Sequence, residues 1–209
     1  MKPYRQIIFD FDGVILDSMP VRDRGFEVVL AEYPARQVAQ LMAYHRKNGG
    51  LSRYVKFRYF FENIRGEDIT EARVVELAEQ FSMVMRRELT QPALLISDTL
   101  AFIRAQQGQV PMHIASGSDQ AELRYLCQQL DIASYFLSIH GSPTPKTELV
   151  GHILAENGYQ SEDTVLIGDS INDWQAAEAH GVRFWGYNNS SLRTCGEGYL
   201  DSYSTLTTT

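Results

Sequence analysis

Short runs of apolar residues recur along the chain, each bounded by turn-forming residues. The runs cover residues 6–11, 110–115, 136–140, 164–167 and 183–187. Hydrophobicity that is continuous rather than alternating is typical of strands buried on both faces, as in a parallel sheet. We therefore predict five buried parallel strands, with a short edge strand in the segment YLDSYSTLTTT at the end of the chain.

Helical patterns separate most of these runs. Helices are predicted over residues 119–130, 146–156 and 171–180, with Ser118 before the first, Gly158 after the second and Gly181 after the third. Serine is a favourable N-cap and glycine a favourable helix terminator. Strands that alternate with helices in this way predict a doubly wound, Rossmann-like α/β core around a parallel sheet.

The interval from about residue 17 to residue 92 departs from this alternation. It has no convincing strand pattern but has helical patterns over residues 19–32 and 71–89, with Thr70 as an N-cap of the second. Gln91 and Pro92 suit a linker that returns to the sheet. We therefore predict an all-helical cap domain, residues 18–91, inserted into a core formed by residues 1–17 and 92–209.

Composition restricts the classes of partner. Of the 209 residues 44% are hydrophobic and 22% are charged, which is typical of a globular protein. The net charge of −7 leaves no global positive field for a nucleic acid or an anionic membrane, and no apolar run approaches a membrane span. The two cysteines are too far apart for a zinc knuckle or a disulfide framework. We expect a cytoplasmic monomer or weak homodimer, with neither a nucleic acid nor a membrane as partner.

Two carboxylates interrupt the first apolar run. Asp10 and Asp12 would share one face of the strand, because side chains alternate along it. Unpaired burial of such charges costs several kcal/mol, so the pair suits a cation or polar ligand between them. The alternative is that the strand ends at Phe9 and that both carboxylates are solvated.

A second acidic pair follows the run 164–167. Asp169 comes directly after Gly168, and Asp173 begins the next predicted helix. Ligands of open α/β sheets bind at the carboxyl ends of the strands, where both pairs fall. All-oxygen donors select a hard cation, so the sequence predicts Mg²⁺ held by Asp10, Asp12, Asp169 and Asp173. For Asp173 the alternative is a favourable interaction with the helix dipole alone.

A lysine and a Ser-Gly-Ser turn follow two other predicted strands. Lys146 lies in the first turn of a predicted helix, where a cation is disfavoured unless an anion holds it or water solvates it. Ser116 can offer its hydroxyl, with the amides of Gly117 and Ser118, to an oxyanion. The same tripeptide is also an ordinary turn.

Together the four motifs resemble the haloacid dehalogenase superfamily. They are FDFDGVILDS at residues 9–18, IASGS at 114–118, PTPKTELV at 143–150 and LIGDSIND at 166–173. Their order and spacing carry this resemblance, and the run LDSMP at residues 16–20 is similar to that of phosphoglycolate-phosphatase-type hydrolases, in the subfamily that also contains β-phosphoglucomutase. This resemblance implies a helical cap and an Mg²⁺-dependent phosphatase that hydrolyses a small phosphorylated metabolite through an aspartyl-phosphate.

The resemblance also implies a role for each motif residue. Asp10 would be the nucleophile and Asp12 the general acid/base. Ser116 would bind phosphate, Lys146 would neutralise charge, and Asp169 and Asp173 would lie on the metal side.

Two alternatives to a phosphatase are a mutase and a binding protein without turnover. Sugar-phosphate mutases of the β-phosphoglucomutase type carry a cap histidine ten positions after the second aspartate, where this chain has Arg22. A phosphometabolite-binding protein would have no need for a nucleophile beside a general acid. The presence of Asp12 also argues against carbon–halogen hydrolysis, which has no leaving oxygen to protonate.

The predicted cap contains a locally basic segment. No acidic residue lies between Glu32 and Glu62, whereas six basic residues do: Arg36, Arg46, Lys47, Arg53, Lys56 and Arg58. In similar caps a loop closes over the active site. We expect His45, Gly49, Gly50, Ser52 and Arg53 in such a loop, with Arg53 and Ser52, together with His45 or Lys56, contacting the substrate's non-reacting end. Gly50 and Gly117 are also predicted to bind substrate. The alternative is a solvated basic helix face.

Overall fold

The computed structural model describes residues 4–206 and contains one parallel sheet. Its six strands lie in the order β3-β2-β1-β4-β5-β6. They are β1 (Gln6–Phe9), β2 (Met112–Asp119), β3 (Ser138–Ser142), β4 (Thr164–Gly168), β5 (Arg183–Tyr187) and β6 (Gly198–Leu200). The predicted doubly wound α/β class is confirmed, and β6 is the predicted edge strand; residues 207–209 of that segment lie outside the described part of the chain.

Eight α-helices accompany the sheet among the described residues. The first four are α1 (Met19–Val29), α2 (Ala35–Lys47), α3 (Arg53–Tyr59) and α4 (Glu71–Glu88), with a π-helical segment Phe60–Arg65 after α3. The others are α5 (Ser97–Gln106), α6 (Gln120–Gln129), α7 (Lys146–Asn157) and α8 (Ile171–Glu178). We call α1–α4 the cap bundle. Within residues 4–206, no helix combines the length and the hydrophobicity needed to cross a membrane.

The central strand β1 shows why the strands are continuously apolar. Ile7 and Phe9 belong to one buried cluster, and Ile8 belongs to a second cluster with the apolar sides of α7 and α8. Successive side chains point to opposite faces, so a sheet covered by helices on both faces buries every position.

Aromatic rings pack against one another within the cap bundle. The ring of Phe26 lies 5.3 Å from that of Phe57 and 4.5 Å from that of Phe81. Two antiparallel segments connect the bundle to the sheet, where Asp17 N donates to Leu94 O at 2.8 Å. The domain boundaries at residues 17/18 and 91/92 stay a prediction.

Several boundaries differ from the predicted ones in ways that affect the site. Strand β1 ends at Phe9, so Asp10 and Asp12 follow the strand rather than sharing one of its faces. Strand β2 continues to Asp119 and therefore contains Ser118, which we predicted as the N-cap of the following helix. The N-cap of α6 is Asp119, whose carboxylate accepts from Ala121 N at 3.0 Å.

Candidate active site

The motif residues meet at the carboxyl edge of the sheet. Asp10 directly follows β1, Ser116 lies near the end of β2, and Asp169 directly follows β4. Lys146 is the first residue of α7, and Asp173 lies in the first turn of α8. The structure therefore brings together five of the predicted residues that are far apart in the sequence.

Three carboxylates form an acidic cluster, which we define as Asp10, Asp169 and Asp173. One oxygen atom from each lies within 4.8 Å of the others. The Lys146 Nζ lies 2.8 Å from Asp10 Oδ1 and also donates to Asp173 Oδ1. Three carboxylates and one ammonium leave a formal charge of −2 when all are ionised. This charge and the all-oxygen donor set fit a divalent hard cation such as Mg²⁺.

Proton affinities reflect this crowding of negative charge. Burial, followed by the charge of Asp173, raises the pKa of Asp10 to about 7. Burial and the charge of Asp10 raise the pKa of Asp169 well above its ordinary value. Burial by itself would lower the pKa of Lys146, but the charges of Asp10 and Asp173 raise it. The cluster therefore favours a bound cation.

Local backbone chemistry fixes the cluster. Ser170 caps α8, and the Asp173 carboxylate accepts from Ser170 N at 2.9 Å and Asp169 N at 3.1 Å, forming a capping box. Gly13 has φ 76°, and a Cβ atom there would lie 2.0 Å from Asp169 Oδ2. A Cβ atom at Gly168 would lie 2.3 Å from Asp173 Cβ. Two glycines thus allow the carboxylates to approach the strand ends.

Asp12 points away from the acidic cluster. Its carboxylate accepts from Arg22 Nε at 2.5 Å, from Ser118 Oγ at 2.6 Å and from Ser18 Oγ. Burial would raise its pKa, but the Arg22 charge and the serine hydroxyls hold the pKa of Asp12 below its ordinary value. The structure does not bring this carboxylate to the other predicted metal ligands. Asp12 lies after the strand and is half-buried, with contacts from Arg22 of the cap bundle and Ser118 of β2, so it is not a freely solvated residue.

A cavity lies between the cap bundle and the sheet edge. From the core, it is lined by Asp10, Asp12, Ser116, Gly117 and Asp169. From the cap bundle, it is lined by residues of α1–α4 and of the loop at residues 48–52. The cavity has the position of a substrate site between two parts of the chain.

Glycines allow the cap loop to lie directly on the core. A Cβ atom at Gly117 would lie 2.4 Å from Gly50 O, and one at Gly50 would lie 2.7 Å from Ser170 Oγ. The predicted residues Gly50 and Gly117 are therefore neighbours. Ser116 is buried beside them, and its Oγ accepts from Ser118 N at 3.1 Å.

Three cations line the cap side of the cavity: Arg22, Arg53 and Lys56. Their exposed fractions are 6%, 4% and 3%. Lys56 Nζ donates to Gly49 O at 3.1 Å and forms no ion pair with any residue in the described range 4–206. Burial and the charge of Arg22 lower its pKa to about 7.

The predicted basic loop is only partly a loop. His45 lies in α2 and Arg53 begins α3, so the connecting loop is limited to residues 48–52. Ser52 is the N-cap of α3, where its hydroxyl accepts from Val55 N at 3.4 Å, and it does not line the cavity. The expectation that Ser52 contacts substrate therefore has no support from its position.

The rest of the basic segment divides between surface and interior. Arg46 pairs with Asp23 and Arg58 pairs with Glu71 at exposed positions, as a solvated basic face would. His45 lines the cavity, with Nε2 3.2 Å from Asp23 Oδ1. Burial and the charge of Lys56 lower its pKa to about 3, so its ring is neutral near pH 7.

The sequence did not predict Glu122 as a functional residue. It identified Arg22 only as the residue in place of a mutase histidine, and not as a partner of Asp12 and Glu122. Glu122 Oε1 accepts from Arg22 Nη1 at 3.1 Å, and Oε2 accepts from Arg53 Nη1 at 2.6 Å. In the sequence, Glu122 is one more acid in the first turn of a helix, which the helix dipole favours anyway. No local signal connects it with an arginine 100 positions away.

Comparisons with known proteins agree with this geometry. A family model described as haloacid dehalogenase-like hydrolase matches residues 7–187. Phosphoglycolate phosphatase 1 of Pseudomonas aeruginosa is 27% identical over 198 residues, covering 88% of this chain and 71% of that protein. Fructose-1-phosphate phosphatase YqaB of Escherichia coli is 25% identical over 186 residues, covering 86% of this chain and 94% of that protein.

Solved structures show the same fold. CbbY from Rhodobacter sphaeroides, in complex with phosphate, matches with a TM-score of 0.77 at 16% identity, covering 97% of this chain and 96% of that one. The β-phosphoglucomutase of Clostridium difficile matches with a TM-score of 0.77 at 15% identity, covering 98% and 93%. At these identities the likeness concerns the fold alone.

Proposed function

The chain belongs to the haloacid dehalogenase-like hydrolases, as the four motifs predict, and from this membership and its phosphatase relatives we infer a phosphoric monoester hydrolase. We propose that it is Mg²⁺-dependent and that it hydrolyses a small phosphorylated metabolite through an aspartyl-phosphate. The observation that carries the proposal is the separation of two aspartates. Asp10 lies in the acidic cluster beside Lys146, whereas Asp12 is turned toward the cap bundle and is held by Arg22 of α1 and Ser118 of β2.

Asp10 is the proposed nucleophile because it belongs to the acidic cluster and also lines the cavity. A phosphate ester resists attack by a carboxylate, since both are anionic, and charge must first be neutralised. Lys146 supplies one positive charge next to Asp10. Asp10, Asp169 and Asp173 would hold Mg²⁺, which when bound supplies the remaining charge neutralisation.

Asp12 is the proposed general acid/base. The lowered pKa leaves Asp12 ionised in the resting protein, so it must first take up a proton from solvent. When Asp10 attacks phosphorus, the bond from phosphorus to the leaving oxygen breaks, and that oxygen takes the proton from the neutral carboxyl group of Asp12. Asp12 then takes a proton from the water that hydrolyses the aspartyl-phosphate, which releases phosphate and restores both carboxyl groups. Its carboxylate contacts Arg22 of the cap bundle and lines the cavity, which suits contact with the leaving group.

Ser116 and Gly117 are the proposed ligands of the phosphate oxygens. The Ser116 oxygen already accepts a hydrogen bond from Ser118 N, so its own proton is free for an acceptor in the cavity. Gly117 lines the same wall, where a larger residue would collide with Gly50.

The cap side favours a substrate that carries a further polar or anionic group. Arg22, Arg53 and Lys56 are buried cations at the end of the cavity away from the acidic cluster. Lys56 has no ion pair among residues 4–206, and Nη2 of Arg22 and Nη2 of Arg53 have no hydrogen-bond partner there, so an anion at this end would be stabilised. One relative is named for phosphoglycolate, a phosphorylated acid, and another for fructose 1-phosphate, a phosphorylated sugar. The three cations on the cap side favour the phosphorylated acid.

The mutase alternative depends on the residue ten positions after Asp12. That residue is Arg22, and its guanidinium forms an ion pair with Asp12. A guanidinium stays protonated at physiological pH and cannot serve as a titrating histidine does. This contact favours hydrolysis over the mutase reaction.

The test is phosphate release from a panel of phosphorylated acids, sugars and nucleotides, with Mg²⁺ and with EDTA. We expect Mg²⁺-dependent release that falls by at least about a thousandfold in Asp10→Asn, because the nucleophile is lost. Thermal unfolding shows whether the variant folds. Turnover retained by a folded Asp10→Asn would contradict the aspartyl-phosphate, and no release across the panel would contradict the phosphatase assignment.

A further inference from the structure

The carboxylate of Glu122 lies in the interior between the core and the cap bundle. Its side chain has no exposed surface, and it belongs to α6, a helix of the core. Both of its oxygens accept hydrogen bonds from arginines of the cap bundle, Oε1 from Arg22 and Oε2 from Arg53. One core carboxylate thus joins two arginines that belong to different cap helices.

Each of these arginines is fixed at a second point. Arg22 Nε donates to Asp12 at 2.5 Å, while Arg53 Nη1 also donates to Ser82 Oγ at 2.6 Å. The Arg53 guanidinium lies 4.6 Å from the ring centroid of Phe81. A planar group held at two points, or held at one and stacked, cannot rotate freely, so its remaining N–H groups keep a defined direction.

Each guanidinium keeps one nitrogen available. Nη2 of Arg22 and Nη2 of Arg53 are buried, and neither has a hydrogen-bond partner among residues 4–206. Both arginines line the cavity. A buried donor without a partner is costly, which points to an acceptor that arrives with the substrate.

The balance of charge gives the class of this acceptor. On the cap side, the cations Arg22, Arg53 and Lys56 face two carboxylates, Asp12 and Glu122. The excess of one positive charge, when all are ionised, favours an anionic group over a neutral one.

We propose that Glu122 is a positioning residue for specificity: it fixes the guanidiniums of Arg22 and Arg53 so that they bind a second anionic group, a carboxylate or a second phosphate, on the substrate. This inference rests on the proposed phosphatase function. Glu122 itself touches no reacting atom and acts through the two arginines.

The variant Glu122→Gln separates this role from two others. A glutamine keeps one acceptor oxygen and turns its NH₂ toward an arginine, so at least one guanidinium loses its fixed direction. Positioning therefore predicts weaker binding of an anionic tail. A mere background charge predicts the opposite, because removing a negative charge strengthens binding of an anion. A purely structural role predicts a lower melting temperature with no change in preference.

The experiment compares two monoesters of the same length, phosphoglycolate and 2-hydroxyethyl phosphate, which differ by a carboxylate in place of a hydroxymethyl group. We expect Glu122→Gln to lower the ratio of their kcat/KM values by about tenfold or more, mainly through KM for phosphoglycolate. The control Glu178→Gln makes the same change of charge at an exposed position of the core and should leave the ratio unchanged.

Glu122→Asp keeps the charge but moves the carboxylate back by one carbon. Positioning predicts that it also loses preference for phosphoglycolate, and this variant decides the question if Glu122→Gln fails to fold. An unchanged or increased ratio in a folded Glu122 variant would overturn the inference, while the activity of the wild-type protein would still support a phosphatase. A wild-type protein that releases phosphate from neither ester nor from any member of the panel would instead overturn the proposed function.

Discussion

The two sides of the cavity differ in the sign of their net charge and in how their charged side chains are held in place. On the core side, three carboxylates surround one lysine, and backbone amides and glycines at strand ends fix their positions. On the cap side, three cations face two carboxylates, and long side chains from separate helices hold one another.

This difference indicates what each side binds. The negative core side favours a cation and the positive cap side favours an anion. The proposed substrate, a phosphate monoester with a second anionic group, would place its tail at the cap side and its phosphate at the core side once a bound cation neutralises the carboxylates there. The four predictions below test the two sides separately, from the largest expected effect to the smallest.

Lys146→Met should have the largest effect on the core side. It removes the ammonium beside Asp10 and Asp173, which are both buried, and so leaves the acidic cluster without its positive charge. We expect kcat with saturating Mg²⁺ to fall by about a thousandfold, as for the loss of one electrostatic stabiliser of a transition state. Steady-state phosphate release measures this.

The control for that variant is Lys47→Met, which removes a lysine at an exposed position of the cap bundle. It should leave kcat unchanged. A Lys146→Met protein with nearly normal kcat would show that this lysine has only a structural role.

Gly13→Ala should disrupt the same side through backbone and packing. Its φ of 76° disfavours alanine, and the new Cβ would lie 2.0 Å from Asp169 Oδ2. We expect the free energy of unfolding to fall by about 3 kcal/mol and Mg²⁺ to bind more weakly. Urea unfolding measures the first effect and calorimetry the second.

Gly66→Ala is the matched comparison, because Gly66 has φ 68° but no atom within 4 Å of a Cβ. Backbone strain should lower its free energy of unfolding by about 1 kcal/mol, and its affinity for Mg²⁺ should not change. Equal losses in the two variants would show that the contact with Asp169 is unimportant.

Lys56→Met should stabilise the cap side in a pH-dependent manner. The folded-state pKa of Lys56 is lowered to about 7 from an ordinary 10.5. Below pH 7 the lysine is charged in both states and the full cost of burial is present. Between pH 7 and 10.5 only the unfolded state keeps the proton, so the stability of the wild-type protein rises with pH.

Methionine has no charge to bury, so Lys56→Met should have a higher free energy of unfolding than the wild-type protein. The difference should be largest at pH 6, on the order of 2 kcal/mol, and smallest near pH 10. Urea unfolding at both pH values measures this, with Lys47→Met as the exposed counterpart. A stability difference that does not depend on pH would contradict a lowered pKa.

Gly50→Ala should have the smallest effect and should alter catalysis rather than stability. A Cβ atom there would lie 2.7 Å from Ser170 Oγ and 2.8 Å from Asn172 Cβ, so the loop could not lie as closely on the core. We expect kcat/KM to fall about tenfold with an unchanged melting temperature.

Gly49→Ala is its control, since the nearest atom to a Cβ at that position is 3.9 Å away. It should behave like the wild-type protein. Similar kinetics for both alanine variants would mean that close contact of this loop with the core does not matter for catalysis.

The sequence by itself determined the α/β core and the positions of the acidic cluster. An apolar strand of known direction places the residue that follows it at the carboxyl edge of the sheet, so Asp10 and Asp169 could be located without coordinates. Lys146 and Asp173 are fixed in the same way, because each lies in the first turn of a helix that follows a strand.

Only the tertiary structure decided the cap side. Asp12 turns toward Arg22 rather than the cluster, Ser52 caps a helix rather than facing the cavity, and Glu122 joins Arg22 to Arg53. The physical reason is reach: a long side chain has many rotamers, and its partner depends on how helices from distant parts of the chain pack. A residue at a strand end has its place fixed by the backbone, whereas an arginine between two parts of the chain finds its partner only when they are packed together.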